Sequence, residues 1–130
     1  MRQYISIFVI AFILNVLWEN AHALLYIHYK GAAITEFILF RAALFDAVMI
    51  TLIAYIFLDL IKIRHGILIA TCVLVLFSVG LEMWAIETGR WAYKVAMPII
   101  PILGVGLTPT VQLGFLGYLS ILIQRNLSYR

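Results

Sequence analysis

The chain has 130 residues, 65% of them hydrophobic and only 12% charged, with a formal net charge of +3. Soluble domains are nearer half apolar and a quarter charged. This composition therefore excludes a soluble globular fold and points to an all-α polytopic membrane protein, a single integral membrane domain over residues 1–130. The basic residues are scattered at the ends of apolar runs, which excludes nucleic acid as a partner, and the lone Cys72 excludes an intrachain disulfide or a multi-cysteine metal site.

The first apolar run predicts a helix over about Tyr4–Tyr29. An α-helix rises 1.5 Å per residue, so about 20 residues cross a hydrocarbon core of about 30 Å. The length of the run, Asn15 and Glu19 inside it, and the lack of a small-x-small cleavage motif make it a retained helix and not a signal peptide. Asn15, Glu19, His22 and Tyr26 recur at helical spacing and form one polar stripe. Lys30-Gly31 ends the segment.

A second helix is predicted over Ile34–Ile63, started by Thr35 or Glu36, with Arg41 and Asp46 inside its apolar run. About thirty residues would measure about 45 Å, so this helix should tilt or protrude. Gly66 stops it. A third helix spans Ile67–Thr88, with Thr71, Ser78 and Glu82 on one face, and Gly89-Arg90 terminates it. Trp91 and Tyr93 then fall where an interfacial aromatic belt would lie. The fourth segment, Met97–Gln124, has no charge but three prolines. Pro98 and Pro101 suit a helix entrance. Pro109 falls mid-span, where it lacks an N–H and clashes with the Val105 carbonyl. The expected architecture is thus a four-helix transmembrane bundle with a proline-kinked fourth helix. Arg2, Lys62, Arg64, Arg125 and Arg130 fall on one side, and Lys30, Arg90 and Lys94 on the other. That bias places both termini in the cytoplasm and the chain in the inner (plasma) membrane.

With this topology Glu19, His22, Arg41, Asp46, Glu82, Thr108 and Gln112 share one slab in the outer half of the bundle. An ionised side chain at a helix centre costs about 2.5–3.5 kcal/mol on insertion scales. Four such groups, unpaired, would cost about 10 kcal/mol, comparable with the ~5–15 kcal/mol stability of a whole domain. They must pair, neutralise or face a wet cavity. Arg41 is expected to pair with Asp46 or with one of Glu19 and Glu82. Burial and like-charge crowding raise carboxyl pKa values, so at least one carboxyl is expected to hold its proton near neutral pH. Glu19 and His22 offer only two ligands with no second histidine near in sequence, so no metal and no cofactor is expected. A polar network that merely holds the helices together remains an alternative.

Glu82, Gly89, Trp91 and Tyr93, followed by Gly104 and Leu107-x-Pro109-x-x-Gln112, form a pattern that resembles the lycopene-cyclase domain of bacterial and fungal carotenoid synthesis. That family carries an acidic residue, then glycine, tryptophan and an aromatic at this spacing, and a Pro-x-Glu-Glu signature at the start of the next helix. Glu82, Gly89, Trp91 and Pro109 match, Gln112 falls at the second glutamate, and Val111 stands at the first. The whole chain is also similar to a set of small bacterial four-helix membrane proteins with Trp-Glu near the start, Gly-Arg-Trp-x-Tyr and Met-Pro-x-x-Pro. The first resemblance implies an intrabilayer pocket for a lipid or isoprenoid ligand, with acid groups at its polar end. Glu19 and Glu82 would be catalytic acids protonating an alkene, and His22, Arg41, Asp46, Trp91, Thr108 and Gln112 would bind. Two other functions stay open: a small transporter or proton/cation pathway acting as a homo-oligomer, with Glu19 as coupling carboxyl, and a structural subunit of a membrane complex. Membrane lipids are partners in each case.

Overall fold

The computed structural model describes residues 1–129. Helix α1 (Arg2–His22) runs into a 3₁₀ turn (Ala23–Leu25) and strand β1 (Tyr26–Tyr29). Helix α2 (Glu36–Tyr55) ends in a π turn (Ile56–Leu60) and is followed by α3 (Gly66–Glu87). Strand β2 (Trp91–Tyr93), a hairpin of β3 (Ile99–Ile100) and β4 (Val105–Gly106), and α4 (Leu107–Ser128) complete the chain. Four helices, two of them lengthened by their terminal turns, are long and apolar enough to cross a membrane.

The helix ends follow local chemistry. Thr35 Oγ1 accepts from the Ile38 N–H at 3.3 Å and caps α2. At the end of α3 the Gly89 N–H bonds Ile86 O at 3.1 Å and the Arg90 N–H bonds Ala85 O at 2.9 Å. This closing motif requires a left-handed residue, which Gly89 supplies at φ +68°.

The helices form a sequential ring in which α1 packs on α2, α3 on α4 and α4 on α1, while α2 and α3 make the thinnest contact between neighbours in the ring. The Tyr4 ring packs edge-on to Tyr55 at 5.4 Å, and Arg125 shares a cleft with Lys62 and His65, so both termini lie at the end of the bundle with the α2–α3 connection. The antiparallel β1–β2 ribbon, with Tyr26 opposite Tyr93 and Tyr29 opposite Trp91, covers the other end.

Each helix buries one stripe that changes character along its length. On α1 the stripe runs Ile7, Ala11, Asn15, Glu19, His22, and on α3 it runs Gly66, Ala70, Leu74, Ser78, Glu82. Towards the termini the core is apolar, built from Ile7, Ala11, Ile50, Ala54, Leu74 and Ile121. Gly114 lets α4 approach α3 closely, since a Cβ there would stand 3.2 Å from the carbonyl oxygen of Thr71.

Two segments differ from the sequence expectation. The first helix stops at His22, and Tyr26 belongs to the ribbon because its backbone pairs with Tyr93. The fourth helix does not begin at Met97, and Pro109 lies in its first turn and not mid-span. Residues 98–107 form a tight hairpin in which Ile99 pairs with Gly106 and the Leu107 N–H bonds Pro98 O at 2.7 Å. Pro109 is then the third residue of α4. There its missing N–H has no intrahelical acceptor to lose, and no carbonyl of a preceding helical turn exists to clash with.

Candidate functional site

Gln112 sits in the second turn of α4 and points its amide into the centre of the ribbon half. Its Nε2 lies 2.9 Å from Asn15 Oδ1, 2.7 Å from Glu19 Oε1 and 2.8 Å from Asp46 Oδ2. These acceptors come from two other helices: α1 places Asn15 and Glu19 one turn apart, and α2 places Asp46 opposite them. An amide nitrogen carries two protons, so three acceptors exceed what it can serve at once. The Glu19 and Asp46 carboxyls thus converge on one donor, with acceptor capacity to spare. The second Glu19 oxygen is 3.1 Å from His22 Nε2, one turn along α1. Asn15 Nδ2 returns to Ala11 O at 2.8 Å.

Glu82 is held differently. It is buried near the end of α3, and one of its oxygens accepts from Trp91 Nε1 at 3.1 Å and from the Tyr93 hydroxyl. Both donors come from β2, where residues two apart face the same side. The Tyr26 ring fills the space between the two acidic groups, edge-on to His22 at 5.3 Å and 5.5 Å from Tyr93. Burial, then the Glu82 charge, pushes the Tyr26 hydroxyl pKa far above its ordinary range, and burial, then the hydrogen bond to Glu82, raises that of Tyr93. Both phenols stay neutral, and Tyr93 remains a donor.

Between these groups lies a cavity of about 320 Å³. Its buried polar lining is Glu19, His22, Asp46, Ser78, Glu82 and Gln112, and the less buried His28, Arg41 and Arg90 also line it. Ile38, Ala42 and Phe45 of α2, Leu81 and Trp84 of α3, and Tyr26, Tyr29 and Trp91 of the ribbon make the walls. Phe45 and Trp84 are each 45% exposed, so the cavity opens at the thin α2–α3 contact. His22 Nδ1 and Ser78 Oγ are buried without a hydrogen-bond partner.

Of the residues singled out from the sequence, Glu19, His22, Arg41, Asp46, Glu82, Trp91 and Gln112 surround this one cavity. Thr108 does not: its hydroxyl lies 3.3 Å from Met97 Sδ, away from the lining. Arg41 lines the cavity but, among the described residues, pairs with no carboxylate. It is exposed and lies over the Phe37 ring at 5.8 Å, while Glu19 and Asp46 meet Gln112 and Glu82 meets Trp91 and Tyr93 instead. Trp91 and Tyr93 are donors to Glu82. Sequence reasoning left Asn15, Tyr93 and Arg90 out of the site. Asn15 carried a signal, its place four residues before Glu19, and Tyr93 carried another, its place two after Trp91. Among the described residues no three histidine, cysteine, aspartate or glutamate side chains are grouped to hold a metal. Compared with known proteins, the chain matches no family model, no curated protein and no solved structure.

Proposed function

We propose that this chain is a multi-pass membrane protein that binds one lipid or isoprenoid-like molecule. The polar end of the ligand rests on the Glu19–Asp46–Gln112 floor, and its apolar remainder leaves between α2 and α3 into the bilayer. The observation that carries this reading is the cavity itself, with buried hydrogen-bonding groups, aromatic and aliphatic walls, and the half-exposed Phe45 and Trp84 at its edge. The exposed faces of the helices carry Ile5, Ile13, Phe40, Leu52, Leu76 and Phe115, which suit contact with acyl chains. The excess of basic residues at the terminal end supports a cytoplasmic placement of both termini, in the plasma membrane.

Below the floor the bundle is filled by Ile7, Ala11, Ile50, Leu74 and Leu113. That apolar plug favours binding over a polar pathway from end to end. Of the two expected acids, Glu82 is engaged by two donors and suits an anchor for the ribbon. Glu19, beside a second carboxyl and a histidine, suits the group that would pass a proton to a bound alkene.

Gentle purification followed by mass spectrometry of retained lipids tests the reading. The expected result is one stoichiometric lipid or isoprenoid in the wild type, displaced in Ala42→Trp, which fills the cavity, with the helical fold kept. A wild-type protein that carries only bulk phospholipid in variable amounts would overturn it.

A further inference from the structure

Two cations at the cavity are used by nothing described so far. Arg41 of α2 and Arg90, just beyond α3, both line it. Neither makes an ion pair among the described residues. Each is held by an aromatic ring instead, Arg41 over Phe37 at 5.8 Å and Arg90 over Trp84 at 4.2 Å. A cation–π contact uses none of the guanidinium N–H donors in conventional hydrogen bonds, and their planar fork matches a phosphate or carboxylate. Both arginines stand at the ribbon end, on opposite sides of the α2–α3 opening.

The buried end of the same cavity has the opposite character. Asn15, Glu19 and Asp46 offer more acceptors than the Gln112 amide can satisfy, and Ser78 and His22, 3% and 7% exposed, each keep an unpartnered polar atom. The cavity therefore carries two cations at its rim and a surplus of acceptors at its floor. A simple anion fits the rim and is repelled by the floor, while a simple cation has the reverse problem. A zwitterion fits both. Arg41 and Asp46 are five residues apart, about 7.5 Å along the α2 axis, a gap that two side chains and a short spacer can bridge.

We propose that the cavity is a seat for a lipid with a phosphate–alkylammonium head. Arg41 and Arg90 hold the phosphate, a primary ammonium donates to Glu19 and Asp46, and the acyl chains leave along the α2–α3 opening. An ammonium brings three donors and no acceptor, which answers the acceptor surplus at the floor. The inference rests on the lipid-binding reading above and adds the class of head group.

Native mass spectrometry of the full chain, exchanged into micelles with titrated lipid, tests this. Wild type should retain one phosphatidylethanolamine per chain, at least tenfold more tightly than phosphatidylglycerol, which lacks the ammonium, or phosphatidylcholine, whose head has no N–H. The Arg41→Gln/Arg90→Gln pair should lose at least tenfold in affinity. Lys30→Gln/Lys94→Gln, which removes equal charge from the same end outside the cavity, should retain wild-type binding. Soluble phosphoethanolamine should not compete at lipid-equivalent concentration; equal competition would mean a site for the free head group and would overturn the lipid assignment. Equal retention of the three lipids, or an unchanged affinity in the arginine pair, would overturn the head-group assignment. A neutral isoprenoid held stoichiometrically by both wild type and the arginine pair would do the same while leaving the cavity reading intact. Retention of no stoichiometric lipid at all by the wild type would remove both.

Discussion

In the half of the bundle that holds the termini, the hydrogen-bonded polar side chains bond within their own helix, while the buried Tyr4 hydroxyl has no partner. Ser120 donates to Leu116 O at 2.6 Å, Thr71 to Ile67 O at 2.9 Å, and Gln124 to Ser128 Oγ at 2.7 Å, each within its own helix. In the ribbon half some bonds also stay local, such as Thr110 to Gly106 O at 2.7 Å, but others cross between elements: Gln112 of α4 reaches α1 and α2, and Trp91 and Tyr93 of β2 reach α3. A hydroxyl that returns to its own backbone makes a polar residue cheap in an apolar setting and leaves the helices to associate by shape. A polar group that depends on a distant segment couples the elements and leaves residual valency that a ligand can use. The first half reads as scaffold and the second as site.

The sharpest way to break this comparison is Gln112→Leu. It leaves the buried Asn15, Glu19 and Asp46 acceptors without their common donor, at about 1–3 kcal/mol for each group left unsatisfied. Thermal unfolding in detergent should show a loss of about 3 kcal/mol or more, or no folded protein at all. Ser120→Ala, the matching change in the other half, should cost about 1 kcal/mol at most. Equal losses would mean the halves do not differ in kind.

Next in size is Gly114→Val on the α3–α4 contact. The added side chain meets the Thr71 backbone, which cannot step aside without moving a helix. Overpacking of this kind costs about 1–3 kcal/mol, and the loss should appear without any change in retained lipid.

Tyr93→Phe removes one of the two donors to Glu82 and should cost about 0.5–1.5 kcal/mol at neutral pH. It should also alter the alkaline limb of stability. The folded-state pKa of Tyr93 is raised above its ordinary value of 10.0. Its contribution is therefore complete below pH 10.0 and is lost as pH rises through the higher folded value. Unfolding titrations of Tyr93→Phe should fall less steeply above that point, with Tyr26 supplying the remaining slope.

The smallest effect is expected for Arg41→Ala. An exposed side chain with no ion pair should change stability by about 0.5 kcal/mol or less. A loss of several kcal/mol, rescued by a carboxylate-to-amide change, would restore the pairing that charge counting suggested.

Helix number, the α1 stripe through Glu19 and His22, and the gathering of acids at one depth were legible in the sequence, because apolar and polar residues recur there with the helical period. The stop at Gly89 was legible for a similar reason, since a left-handed terminator has few alternatives. The start of α4 was not. Met97 to Gly106 is apolar almost throughout, and hydropathy cannot separate an apolar hairpin from a helix when no charge interrupts either. Tyr26 misled because its spacing continues the α1 stripe, whereas its conformation is set by pairing with Tyr93 far along the chain. Arg41 misled because charge counting treats opposite charges as partners, while the carboxyls are met by a neutral amide from α4.

Gln112 follows its partners by 97, 93 and 66 residues in the chain. At about 5–20 residues per second of synthesis, roughly 5–20 s separate the making of Asn15 from the making of Gln112. For that interval α1 and α2 carry two carboxyls and an amide that lack the donor they come to share, and only Glu19 has a partner beside it, in His22. The hairpin of α1 and α2 can pair early, but it cannot settle. The last helix completes the network, and any chain that stops short of residue 112 leaves these acids without the donor they share.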